Sequence, residues 1–447
     1  MKFTARVRGL LDGLEPVITV ATKSAVKEYK SANFITLNAS EDGITASADG
    51  GRMSITNSLD ALNQSVLGYN CVQPGSITVR AFDVRRVLQS FNEDDEISFE
   101  VKQSSEGTKI EENTEQNEEM TPAQYAMLDS GHEVVCTLIS DTEEMQTMPC
   151  STVLISPSLI EPLKSSPINI RRDVFVASAS KISFAHGFQD FRKEYLYWVL
   201  RLDKGHVRFV AGSGGRFAIL DTYADADVLT NASKKQDILI PNHVTAALID
   251  VFSKNDNDYL TFQTGERQIS ISSGSANVII SQIEPDVKWP DENVILNRSN
   301  KIKIVTRVGN WLNAIKGISA TNSEEIKKQG QIHTASISFD PKSKMIHAKS
   351  NDQLKSHRKI SVDDAWTDDS NASDIVLRCA SKYLTEAIKN GDNDAYMQME
   401  IDGENRPIVV RYHSSDKISK PNECKKVNEA LGVTEQYSFF FAPQSKK

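Results

Sequence analysis

The residues whose types could do chemistry come first. Gly212, Gly214 and Gly215 in "VAGSGGRFAIL" have the glycine density of a phosphate-cradling loop. The Lys-Ser/Thr pair of a P-loop is missing, however, and no helical pattern follows, so a tight turn between two strands is the better reading. His132, Cys136 and Cys150 are metal-ligand types, but no second pair completes a site. No local pattern marks a Ser/His/Asp relay or a pair of carboxylates. The sequence therefore predicts no enzyme, no metal and no cofactor. The chemistry left is non-covalent: cations that could meet phosphates, and glycines beside aromatic residues that could form a binding surface.

Something must position those residues, and 447 residues is too long for one core. It fits about three domains of roughly 100–200 residues. Hydrophobic residues make up 39% and charged residues 25%, an ordinary globular balance. No apolar run approaches the roughly 20 residues of a membrane span, and "MKFTARVRGLL" lacks a signal peptide's apolar core, so no membrane role is expected. Five scattered cysteines without CxxC pairs read as reduced thiols of a cytoplasmic protein. The net charge of −9 argues against a uniformly basic nucleic-acid coat but leaves room for a basic patch on one face.

One local structure is written three times. "LQSFNEDDEISFEV" (88–101), "IDVFSKNDNDYLTFQT" (249–264) and "EAIKNGDNDAYMQMEI" (386–401) each pass from an apolar helical tail through an Asn/Asp/Gly knot into alternation. Upstream of each lies a short β-branched strand entering an amphipathic helix, with Ile77, Ile238 and Ile375 in equivalent places. Earlier again come the helical patterns "RVRGLLDGLEPVI", "VFVASASKISFAH" and "VGNWLNAIKGISA". Strands follow, carrying "ASADGGRMSI" (46–55) and "VAGSGGRFAI" (210–219), with a drifted third copy at 348–360. Periods of this length are domains rather than solenoid units. Each domain reads as α+β, two helices on one face of antiparallel sheet. The expected boundaries are 1–168, 169–297 and 298–447, with a solvated acidic insert at 102–124 and a second insert at 414–435.

Three tandem copies of this unit, with "MKFT" in front, "VAGSGGRFAIL", "FQDFRKEYL" and "SQIEPDVKWP" within and "YSFFFAP" at the back, resemble the bacterial DNA sliding clamp, the beta subunit of DNA polymerase III. The resemblance covers nearly the whole chain, and its order and spacing are more specific than any single segment. Divergence and inserts mark a distant member, with bacterial and phage origin both open. The resemblance implies a homodimer closed head to tail into a ring of six domains, with helices inside and sheets outside. It implies duplex DNA in the hole, held without sequence preference, and a DNA polymerase and a clamp loader as partners.

Helices expected at 4–20, 82–91, 172–187, 242–253, 304–317 and 380–391 would line that hole, and they carry ten basic against six acidic residues. The DNA-contacting set implied is Lys23, Lys27, Lys30, Arg85, Arg86, Lys181, Gln189, Arg192, Lys193, Arg307, Lys316 and Lys382. The family often has a basic residue after the proline that opens the second helix of domain two; here Asn242 and His243 follow Pro241. A partner-peptide pocket between domains two and three would be walled by Leu196, Gly212, Gly214, Arg216, Phe217, Pro285, Pro290, Phe440, Ala442 and Pro443. Gly215 stands where the family commonly has His, which alters the pocket's shape. The alternative function is a repeat-domain scaffold that does not encircle DNA.

Overall fold

The computed structural model describes the chain apart from residues 24–31, 64, 105–130, 155–162, 188–191, 204–205, 224–228, 231–235, 256, 282–286, 293, 295–301, 320–333, 341–342, 351–355, 368–375, 390–392, 402–407, 413–425, 429–432 and 442–447. Lys27, Lys30, Gln189, Pro285, Ala442, Pro443 and most of both inserts lie outside the described residues.

The chain opens on a strand rather than a helix. Phe3 and Ala5 are buried between partly exposed neighbours, and this period of two makes Lys2–Arg6 strand β1. The helix expected from residue 4 starts three residues later. In repeat one, β1 leads to α1 (Val7–Lys23), β2 (Phe34–Ser40), β3 (Gly43–Asp49), β4 (Met53–Asp60), β5 (Asn70–Gln73) and β6 (Gly75–Arg80). Helix α2 (Ala81–Leu88) and strands β7 (Glu96–Gln103), β8 (His132–Leu138) and β9 (Met145–Ser151) complete it.

Repeat two follows the same order. It holds β10 (Ile168–Arg171), α3 (Arg172–Ile182), β11 (Tyr197–Asp203), β12 (His206–Ser213), β13 (Arg216–Tyr223), β14 (Leu229–Thr230) and β15 (Gln236–Pro241). Then come α4 (Thr245–Ser253), β16 (Tyr259–Thr264), β17 (Gln268–Ser273) and β18 (Ala276–Ser281). Repeat three has β19 (Ile302–Arg307), α5 (Val308–Ser319), β20 (Thr334–Asp340), β21 (Met345–Ser350), β22 (His357–Ser361), β23 (Asp364–Thr367) and β24 (Val376–Ala380). It ends in α6 (Ser381–Ile388), β25 (Tyr396–Ile401), β26 (Ile408–Tyr412), β27 (Lys426–Asn428) and β28 (Val433–Phe441). Strands β6, β15 and β24 end at Arg80, Pro241 and Ala380, so Leu377, not Ile375, matches Ile77 and Ile238. Arg307 closes a strand instead of sitting in a helix: the β-branched run "IKIVT" pairs antiparallel with β25, and Arg307 stands opposite Tyr396.

The fold separates into two compact units that cut through repeat two. Unit 1 comprises Met1–Val176 with His243–Pro285, and unit 2 comprises Ala177–Asn242 with Asp286–Lys447. In unit 1 an antiparallel sheet runs β10-β16-β17-β18-β4-β3-β2-β6-β9-β8-β7-β1-β5. Helix α1 packs on it through Val7, Leu10, Leu14, Val17, Ile18 and Ala21, an apolar stripe at helical spacing. Unit 2 has one sheet ordered β15-β11-β12-β13-β28-β26-β25-β19-β23 and another ordered β22-β21-β20-β24.

The repeats are joined by one recurring device. In unit 1 the strand after Gly50-Gly51-Arg52, β4, pairs with β18, the last strand of repeat two, with Asn57 opposite Ala276 and Ile55 opposite Val278. In unit 2 the corresponding β13 pairs with β28, the last strand of repeat three, with Phe217 opposite Phe440 and Leu220 opposite Tyr437. The counterpart in repeat three, β22, has β21 alone as its neighbour among the described residues. The counterpart final strand of repeat one, β9, pairs with β8 along its length and touches β6 only at Cys150 and Ser151.

Candidate functional sites

Three basic residues of unit 1 are drawn into ion pairs between helices. Arg85 on α2 reaches Glu15 on α1 at 2.9 Å, and Lys254, just past α4, approaches the other oxygen of Glu15 at 3.5 Å. Lys23, in the last turn of α1, bonds Asp250 of α4. Arg86 is largely exposed and meets Asp83 at 3.4 Å. Three helices are thus stitched by carboxylates, and the cations retain part of their field towards solvent. In unit 2, Arg192 and Lys193 are exposed at the 3-10 turn Lys193–Leu196, and Lys181 is half-buried on α3. Arg307 is exposed and stacks over Tyr396, 5.1 Å from the ring centre, with Lys316 exposed on the following helix. Lys382 lies in α6, and its side chain is outside the described set.

A second group in unit 2 gathers around Phe217. The Phe217 ring meets Tyr195 edge-on at 5.4 Å and Trp289 at 6.2 Å, while Tyr195 and Trp289 meet at 5.9 Å. Such tilted pairs place ring edges on ring faces. Beneath them pack Val199, Val210, Ile219 and Val409. Gly212 stands opposite Phe217 in the β12–β13 ladder, and a Cβ there would lie 2.7 Å from the ring. The glycine is what lets the ring lie over the backbone. Leu196 and Pro290 are half-buried beside Tyr195 and Trp289 in sequence, and Gly214 is exposed at the turn. Arg216 donates to the His186 carbonyl at 3.1 Å and to Glu386 at 3.4 Å. Phe440 stands opposite Phe217 in the β13–β28 ladder, its side chain outside the described set.

Sequence reasoning missed what holds this group. Glu292 is fully buried, and one of its oxygens accepts from Arg201 and from Arg208, the latter at 3.1 Å. Arg201 also bonds Asp237 at 2.9 Å, and Arg208 bonds Asp221 at 2.6 Å. Burial pushes the Asp221 carboxyl up, but hydrogen bonds and charge from His206 and Arg208 outweigh it and hold the carboxyl below its usual range. The segment carrying Trp289 is therefore anchored three residues on by a buried carboxylate. The signal was the second of two acids in "KWPDE", legible only once β11 and β12 bring two arginines to it.

Asn242 and His243, which depart from the family's basic pattern, have structural work. The Asn242 side-chain amide donates to the carbonyls of Gly187 and Tyr195, each at 2.7 Å. In unit 1, burial, helped by the charge of Arg52, pushes His243 down to about 4, so it is neutral at neutral pH. Burial first and Arg216 second push His186 down to about 3. Among the described residues no group of three or more His, Cys, Asp or Glu could hold a metal ion, and no helix is long and apolar enough to cross a membrane.

No protein-family model and no curated protein sequence matches the chain. Solved structures do. The DNA polymerase sliding clamp of Bacillus subtilis aligns over 100% of both chains with TM-score 0.74 at 16% identity. The DNA polymerase III subunit beta of Pseudomonas aeruginosa gives 0.73 at 14%, again over both full chains. The beta subunit from DNA polymerase of Streptococcus pyogenes gives 0.70 at 15% with the same coverage. The chain therefore has the fold of the bacterial sliding clamps, α+β repeats with large antiparallel sheets, carried by a strongly diverged sequence.

Proposed function

We infer that the chain is a DNA sliding clamp. Two copies close head to tail into a ring around duplex DNA and tether a replicative DNA polymerase, with a clamp loader opening the ring. The observation that carries this reading is the threefold element order, matched end to end by bacterial sliding clamps. A ring that holds DNA topologically needs only weak phosphate contacts, and a lining whose cations are partly offset by carboxylates suits sliding better than gripping. Arg86, Arg192, Lys193, Arg307 and Lys316, exposed and outside the helix-stitching pairs, are the first candidates for those contacts. The group around Phe217 is the candidate seat for an apolar-tipped segment of the polymerase or loader. The protein works in the cytoplasm, in a bacterium or an infected one, and performs no catalysis of its own.

The pairing of Arg85 and Lys23 with acids also favours the second reading, a repeat scaffold without DNA. The two part on salt-sensitive association with duplex DNA, which only the clamp requires. The ring itself is tested by mass. Sedimentation equilibrium at micromolar concentration should give about twice the 49.6 kDa of one chain. A single-chain or three-chain mass would defeat the two-chain ring.

A further inference from the structure

Repeat three carries a small block of nitrogen-bearing side chains on one face of the sheet β22-β21-β20-β24. Helix α5 packs against β21 and β22, and Ile346, Ala348 and Ile360 are buried there. Alternation therefore turns His347 and Lys349 of β21, and His357 and Lys359 of β22, to the face away from that helix. In the antiparallel register Lys349 stands opposite His357, and His347 stands opposite Lys359. Ser336 and Ser338 of β20 come next across the ladder, and Arg378 of β24 takes the register place beyond Ser336. Lys349, His357 and Lys359 are exposed, and His347 is half-buried.

Two features set this block apart from an ordinary solvated face. The first is the histidine pair. Nδ1 of His347 lies 3.0 Å from Nε2 of His357. The ring centres are 5.2 Å apart and their planes 13° from parallel, so the two nitrogens point at one another. One of them must carry a proton and the other accept it. The pair keeps that bond when one ring is charged and loses it when both are.

The second feature is the lack of acid. Asp340 is the one carboxylate with a register place on this face of the four strands, and it accepts from the Ser343 hydroxyl at 2.6 Å. Partial burial, then the charges of His347, Lys349 and Lys359, hold His357 below its ordinary range, and no acid offsets them. Protonating either ring sets like charges directly opposite one another across the ladder, which is unfavourable in a sheet. In a chain whose net charge is −9, the block is a concentrated positive spot.

We propose that this block binds a pyrophosphate-type anion, either pyrophosphate itself or the phosphate tail of a nucleotide, held by Lys349 and Lys359 across the His347–His357 pair. The lysines flank the imidazoles on opposite sides, so two linked phosphate groups reach both where a single group reaches one. Ammonium and imidazole N–H groups donate to phosphate oxygens, and charge-assisted bonds of this kind are the strong ones. Ser338, opposite His347, adds a hydroxyl at the margin. No Phe, Tyr or Trp has a register place on this face, so the bases of a single-stranded nucleic acid find no aromatic ring to stack on. That favours a small ligand. The anion gives the histidines a role as well: its charge lets a ring protonate beside the lysines, so binding raises the pKa of the pair. Neither a ring of chains nor DNA is needed for it.

The test uses the full-length chain with isotope-labelled histidine and follows the imidazole C–H signals by NMR, those of His347 and His357 being assigned through His347→Gln and His357→Gln. Inorganic pyrophosphate at millimolar concentration should move both signals and raise their titration midpoints by at least about 0.5. Inorganic phosphate should bind at least about tenfold more weakly. A response to pyrophosphate that a nucleoside triphosphate matches or exceeds assigns the nucleotide tail, and a response to pyrophosphate alone assigns the free anion. Lys349→Glu with Lys359→Glu should weaken pyrophosphate at least about hundredfold. Both lysines are exposed, so this variant keeps its fold, which an unchanged circular dichroism spectrum checks. Histidine signals that stay still, or equal affinity in the folded lysine variant, would overturn the site. Signals that move with a single-stranded oligonucleotide but not with pyrophosphate would overturn the choice of ligand.

Discussion

Replacing Glu292 by alanine should lower the stability of unit 2 by about 3 kcal/mol, the lower end of the roughly 3–5 kcal/mol range for breaking a buried ion pair. Arg201 and Arg208 converge on this carboxylate, and both arginines are mostly buried. Removing it leaves two desolvated guanidinium groups next to each other. Asp237 and Asp221 remain as partners, which keeps the loss at that lower end. Glu292→Gln keeps the shape and one acceptor and should cost about half as much. Urea unfolding followed by tryptophan fluorescence reads the difference, because Trp289 and Trp198 lie in the affected unit. A loss under about 1 kcal/mol for the alanine variant would show that the anchor holds nothing.

Phe217→Ala should weaken binding of the polymerase's apolar-tipped segment about thirtyfold, the equivalent of roughly 2 kcal/mol for a buried aromatic anchor. The ring touches Tyr195, Trp289 and the backbone at Gly212, so its loss opens the surface on which such a segment would rest. Phe217 is half-buried, so truncation should unsettle the fold less than the roughly 3–5 kcal/mol of a fully buried phenylalanine. Fluorescence anisotropy with a labelled segment measures the affinity, and sedimentation shows that the chains still pair. Unchanged affinity in a folded variant would move the partner site elsewhere.

Much of the architecture was legible because it was written three times. The Asn/Asp knots, the strand-to-helix entries and the Gly-Gly-Arg turn fall at matching places in the element order. Short-range signals did less well. Residues 4–6 and 304–307 read as helix because the helical stripes behind them begin without a break, yet they pair with β7 and β25 as strands. The cations were visible one by one, but their partners were not. Glu15 and Arg85 are far apart in sequence and meet only when α1 and α2 pack on the same sheet. The same holds for Glu292 with Arg201 and Arg208, and for Asn242 with the carbonyls it ties. A sequence shows the charge of a residue; the fold decides whether that charge is spent within the protein or offered outward.

The central claim is topological, and a single measurement addresses it. The protein, loaded by a clamp loader onto a nicked circular duplex, should co-elute with the circle through gel filtration at moderate salt. Cutting the circle once should release it, because a ring that holds by enclosure slides off a free end. Retention that is equal on the circle and on the linear duplex, or absent from both after loading, would contradict encirclement.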